Sequence, residues 1–155
     1  MAKAEFSGNF LHTIDPKGRV TIPTAFRELL GENFTIGLNN EFNAIALYPQ
    51  EKWQEISDFL DRIPDFDRKG MRYVRLIKAH SFLGGEMDGQ GRVLLPQALR
   101  QKLNIGKNIR FVGMGRYLEI WDEDVCIQQL NESEDDYDSL MDHVNDQYSS
   151  VNRHG

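Results

Sequence analysis

The sequence has 155 residues, 40% of them hydrophobic and 27% charged, with a net charge of −6. That is an ordinary globular composition, long enough for one compact domain or two small ones. No apolar run approaches the roughly 18–20 residues of a membrane span, the opening Met1–Ser7 lacks an apolar signal region, and Cys126, the single cysteine, allows neither an intrachain disulfide nor a cysteine-cluster metal site, so a cytoplasmic protein is expected.

Taken in chain order, the first predicted elements are two strands, Phe10–Ile14 and Arg19–Ile22, around Asp15-Pro16-Lys17-Gly18. That tetrapeptide suits a type I turn, with Asp first, Pro setting the second φ and Gly able to take positive φ at the fourth. Such a turn predicts a bulged hairpin in which the two strands pair with each other. Pro23 ends the second strand and opens a short helix. In that helix Phe26, Leu29 and Leu30 recur at three- and four-residue spacing, and Gly31 is its expected stop. Strands follow over Asn33–Leu38 and Asn43–Tyr48. A longer helix from Pro49 places Trp53, Ile56, Phe59, Leu60 and Ile63 along one stripe, Pro64 interrupts it, and another runs from about residue 65 to 80. Strands near Ser81–Met87 and Arg92–Leu95, a helix over Pro96–Leu103, strands near Lys107–Gly113 and Tyr117–Trp121, and a helix capped by Asp122 complete the pattern. Beyond Leu130 the chain is acidic and poor in apolar residues, and partial disorder is expected there.

The second half of this series repeats the first at an offset of 73 residues. Ile14-Asp15-Pro16-Lys17-Gly18-Arg19-Val20-Thr21-Ile22-Pro23 corresponds to Met87-Asp88-Gly89-Gln90-Gly91-Arg92-Val93-Leu94-Leu95-Pro96, and Ala25 and Arg27 correspond to Ala98 and Arg100. The match resumes where Ile45–Tyr48 aligns with Leu118–Trp121. A fixed internal period marks a duplicated structural unit. One copy, with short strands and one small helix, leaves much apolar surface unpaired, so two copies are expected to interlock about an approximate two-fold into one body. The predicted organisation is a first repeat with its C-terminal helix (6–63), a connecting helix (64–80), a second repeat with its C-terminal helix (81–130) and an acidic tail (131–155).

The charge is segregated along the chain. Residues 131–155 hold seven acids against Arg153 and so carry the whole net −6, leaving the rest neutral. Arg68, Lys69, Arg72, Arg75 and Lys78 form a basic stripe at helical spacing. It is read as a solvated face, paired with Asp58, Asp61, Asp65 and Asp67 or with a neighbouring subunit. At the turns, the spacing alone favours a structural reading: Asp15 and Arg19 pair with each other or with turn backbone, and Asp15, Gly18, Asp88 and Gly91 organise the two turns. An arginine on so rigid an edge also suits a phosphate or a guanine. The second turn, with Gly89 and Gln90 in place of Pro16 and Lys17, is less basic and expected to be more flexible.

Asp-x-x-x-Arg followed by Val-x-Ile/Leu-Pro and a short helix resembles the SpoVT/AbrB swapped-hairpin superfamily. Two copies in one chain, Asp15–Arg19 and Asp88–Arg92, resemble its MraZ family over about residues 6–130. The resemblance implies an α+β, β-rich fold of two tandem AbrB-like repeats, packed with pseudo-two-fold symmetry and flanked by helices. It implies a ring-like homo-oligomer that binds direct repeats in double-stranded promoter DNA upstream of the division and cell-wall gene cluster. DNA contact is implied at Arg19 and Arg92, with Lys17 beside the first. No cofactor, metal, small-molecule substrate or membrane partner is expected. His12, His80, His143 and His154 show no ligand spacing, and the glycine pairs surround strand connections, so an enzyme reading finds no support. A single-motif antitoxin-like AbrB protein fits the duplication poorly. A scaffold using the same fold without DNA remains the rival that the acidic charge favours.

Overall fold

The computed structural model describes residues 4–154. The chain divides after Glu123 into two compact units. The first holds strands β1 (Asn9–Thr13) and β2 (Arg19–Thr21), helix α1 (Thr24–Leu30), β3 (Phe34–Leu38), β4 (Ile45–Tyr48), α2 (Gln50–Asp61) and α3 (Arg68–Ala79). The second copy follows as β5 (Phe82–Gly85), β6 (Arg92–Leu94), α4 (Gln97–Lys102), β7 (Asn108–Gly113) and β8 (Leu118–Asp122). Helix α5 (Glu123–Asp135) begins at the division, and α6 (Tyr137–His154) completes the second unit. The fold is α+β and β-rich, as the resemblance implies.

The hairpin expected between residues 10–14 and 19–22 does not form. Its turn closes, with the Asp15 N–H donating to the Arg19 carbonyl at 2.9 Å, but the strands on either side leave for different sheets. Strand β1 pairs antiparallel with β7 from the other repeat, and β2 pairs with β6. The six-stranded sheet runs β1-β7-β8-β4-β3-β5, and β2-β6 forms a separate ribbon. Each repeat thus supplies strands that only the other can pair, because neither has enough apolar surface to close a core alone.

The registers locate the approximate two-fold. Val20 lies opposite Val93 and Ala46 lies opposite Glu119. In both cases a residue faces its own equivalent 73 positions on, so the pseudo-dyad passes through both pairs. The main core fills the space between ribbon, sheet and the two short helices, with Val20, Ile22, Val93 and Leu95 meeting Phe26, Leu30, Leu99, Ile45, Leu47, Phe111 and Ile120. Side chains alternate across a strand, so Ala46 and Tyr48 of β4 face the other way, onto Trp53, with Ile56 and Ile77 beside them. Apolar residues at every position of β4 follow from cover on both faces.

Several local expectations change. Of the α2 stripe, Trp53 and Leu60 are buried but Phe59 is exposed. Asp122 is the last residue of β8, and its carboxylate accepts the Gly106 N–H at 2.8 Å. The segment after Leu130, expected to be partly disordered, is helical through α5 and α6. Tyr137, Leu140, Met141, Val144 and Tyr148 of α6 recur at helical spacing, with Asp138, Asp142 and Asp146 on the opposite face. Its high acid content conceals an amphipathic period. No helix among the described residues is long and apolar enough to cross a membrane.

Candidate nucleic-acid interface

Each Asp-x-x-x-Arg segment is a closed five-residue turn built around one carboxylate. Asp15 Oδ1 accepts the backbone N–H of Lys17 at 2.9 Å and of Arg19 at 2.8 Å. Its Oδ2 accepts Arg19 Nε at 2.7 Å. Gly18, at φ 85°, donates its N–H back to the Asp15 carbonyl. The second turn reproduces the set: Asp88 Oδ1 takes the N–H groups of Gln90 and Arg92, both at 2.9 Å, and Oδ2 takes Arg92 Nε at 2.7 Å, while Gly91 adopts φ 77°. Replacing Pro16 by Gly89 leaves this bonding pattern unchanged. The backbone hydrogen bond from Arg19 holds the Asp15 carboxyl below its usual range, with the Arg19 side chain adding to it. Asp88 is lowered for the same reasons by Arg92.

Each carboxylate is thus engaged in a hydrogen-bond network internal to its own turn. The arginines are not consumed by it. Each pairs through Nε alone, and among the described residues no hydrogen bond reaches the terminal nitrogens of Arg19 or Arg92. A guanidinium held by one edge and open at the other is pre-aimed for a bidentate acceptor such as a phosphate or guanine.

Both turns feed one ribbon. Val20 and Val93 point into the core and are buried, so alternation turns their neighbours Arg19, Thr21, Arg92 and Leu94 outward. Arg19 lies opposite Leu94, and Arg92 lies opposite Thr21. The two arginines are thus diagonal neighbours across the pseudo-dyad. A two-stranded ribbon has the width to enter a major groove. Lys17, exposed at the tip of the first turn, has the neutral Gln90 as its counterpart.

Motif reasoning missed two further arginines. Arg27 and Arg100 lie in α1 and α4, and each guanidinium packs against a turn glycine of the other repeat. Their recurrence at matched positions was visible, but the crossing between repeats was not. The basic stripe of α3 is exposed along its length, and no ion pair among the described residues joins it to Asp58, Asp61, Asp65 or Asp67. Asp67 instead caps α3 through the Gly70 N–H, Asp58 accepts from Gln54, and Lys78 lies 5.6 Å from the centre of the Trp53 ring.

The chain matches the family model described as "MraZ protein, putative antitoxin-like" over residues 6–73 and 84–145. It is similar to a curated transcriptional regulator MraZ of Thermoanaerobacter sp. (strain X514), with 35% identity over 90% of this chain and 96% of the relative. A second, from Carboxydothermus hydrogenoformans, is 35% identical over 91% of this chain and 97% of its own length. A third, from Saccharophagus degradans, is 31% identical over 84% and 90%.

Proposed function

The chain belongs to the MraZ family, and from that premise we propose that it is a sequence-specific, DNA-binding transcriptional regulator. The observation that carries this reading is the pair of equivalent Asp-x-x-x-Arg turns on one outward ribbon face, each offering a carboxylate-tethered guanidinium. Arg19 and Arg92 are the base- or phosphate-contacting groups, Lys17 adds a phosphate contact, and Asp15, Gly18, Asp88 and Gly91 hold the turns. The finer proposal is a cytoplasmic, nucleoid-associated homo-oligomer, ring-like in form, on tandem repeats upstream of the division and cell-wall gene cluster. Engaging several sites at once turns a weak contact per subunit into useful affinity. That offsets a net charge of −6, which otherwise opposes non-specific attraction.

The test is fluorescence anisotropy of the full chain with duplex DNA from upstream of its own gene, against scrambled duplex, at several salt concentrations. Wild type is expected to prefer the upstream DNA, with log affinity falling against log salt by about 0.9 per phosphate contact. Arg19→Ala is expected to weaken binding by about 1–3 kcal/mol while leaving the oligomeric state unchanged. Arg92→Ala is expected to cost less, because its turn presents Gln90 where the first presents Lys17. Folded wild type that ignores this DNA at low salt would favour a scaffold, the reading that the acidic charge supports.

A further inference from the structure

Each turn glycine meets two contacts from the opposite repeat, and a bond within that repeat ties the two together. The Gly18 carbonyl accepts the Leu95 N–H at 3.0 Å. The Leu95 carbonyl in turn accepts Arg100 Nε at 3.2 Å. The guanidinium so anchored lies over Gly18: a Cβ there would stand 2.6 Å from Arg100 Nη2 and 2.7 Å from Cζ. The mirror arrangement joins Gly91, Ile22 and Arg27, with Ile22 N–H to the Gly91 carbonyl at 2.8 Å and Arg27 Nε to the Ile22 carbonyl at 2.9 Å. A Cβ on Gly91 would collide with the Arg27 guanidinium. Both glycines are buried although the residues before them at each turn tip are exposed. The carboxylate bonds of Asp15 and Asp88 are internal to each turn. They fix its shape, whereas the cross-repeat contacts fix its place on the ribbon.

We propose that Arg27 and Arg100 are positioning residues for DNA binding that act crosswise. Arg100 of the second repeat seats the turn carrying Lys17 and Arg19, and Arg27 of the first repeat seats the turn carrying Arg92. The assignment inverts sequence proximity, since Arg27 lies eight residues from Arg19 yet serves the other turn. Arginine suits the task because its flat guanidinium spans a carbonyl at one edge and a glycine backbone on its face, which an ammonium does not. The inference rests on the DNA-binding reading above.

The experiment uses the full chain with Arg100→Gln and Arg27→Gln, each alone and combined with Arg19→Ala or Arg92→Ala, titrated with the upstream duplex. Arg100→Gln is expected to weaken binding roughly tenfold. Residues acting as one unit are non-additive, so it should add little to Arg19→Ala and its full effect to Arg92→Ala, with Arg27→Gln reversing the pattern. With Lys17→Ala and Arg19→Ala already in place, Arg100→Gln should leave the salt slope unchanged; a further loss of about 0.9 there would mean that Arg100 itself contacts a phosphate and would overturn a positioning role. Amide hydrogen exchange of the free protein reads the same assignment without DNA. Gly18 and Arg19 N–H groups should exchange faster in Arg100→Gln while Gly91 and Arg92 hold. Additive losses with both partners, or faster exchange in both turns together, would overturn the crosswise assignment and leave the DNA reading intact. Crosswise exchange in a protein that ignores the duplex would defeat the DNA reading instead. If Arg100→Gln fails to fold, Arg100→Lys keeps the charge and aliphatic stem, removes the flat guanidinium, and is expected to give the same crosswise pattern.

Discussion

An arginine in solution samples many rotamers, and fixing one costs conformational entropy that a binding event must otherwise supply. Asp15 and Asp88 bear that cost in the free protein. Each takes two backbone N–H groups on one oxygen and an arginine Nε on the other. The two functions separate under substitution. Asp15→Asn keeps an oxygen for the backbone donors but loses the charge that holds Nε, so the turn should persist while Arg19 becomes mobile and DNA affinity falls. Asp15→Ala removes both and should disorder the turn. The lowered carboxyls of Asp15 and Asp88 also set a direction with pH. A carboxyl depressed in the folded state stabilises above its unfolded value, and that contribution is lost as pH falls through the folded one. The Arg19 Nε–H resonance should therefore be protected from neutrality down to the ordinary carboxylate range and lose protection only in stronger acid. In Asp15→Asn it should be unprotected throughout. Protection unchanged by that substitution would mean that the ion pair does not hold the side chain in solution.

At the scale of elements, what was legible in the sequence depended on whether its cause was local. Pro23 and Pro96 stand at the N-caps of α1 and α4, Gly31 ends α1 at φ 70°, and every strand lies within about two residues of its expected span. These follow from φ preferences and apolar period in a short window. Strand partnership does not. The Asp15-Pro16-Lys17-Gly18 turn has the same local chemistry whether its flanking strands pair together or part, and only burial decides. Val20 and Ile22 are 1% and 0% exposed because β6, α1 and the large sheet enclose them together. The site was legible to the same extent: the carboxylate–arginine pair is a four-residue relation and was readable, while Arg27 and Arg100 reach glycines 64 and 82 residues away in the chain and were not. A consequence is that Ile22 belongs energetically to both repeats. Ile22→Ala should cost about 2–5 kcal/mol, and so should Leu95→Ala at the matched position. Chemical denaturation of either variant should shift the midpoint of a single transition with its slope unchanged. A biphasic transition in which one repeat melts first would contradict the strand exchange.

For the molecule as a whole, the neutrality of residues 1–130 and the concentration of the net −6 in residues 131–155 put two opposed electrostatic effects in one chain. In the proposed DNA complex the guanidiniums of the ribbon act at contact distance, where specificity is set. The acids of α6 act through the long-range field, which governs encounter and non-specific attraction. Salt separates the two, because the screening length falls from about 30 Å at 0.01 M to about 8 Å at 0.15 M ionic strength. Replacing Asp138, Asp142 and Asp146 together by Asn halves the net charge and leaves the apolar face of α6 intact. The variant is expected to bind scrambled duplex severalfold more tightly at 0.01 M salt and indistinguishably from wild type at 0.15 M. Its preference for upstream over scrambled DNA should be reduced at the lower salt and equal to wild type at the higher. An advantage that survives at 0.15 M would mean that these carboxylates oppose DNA at close range, a short-range competition that the segregation of charge alone does not require.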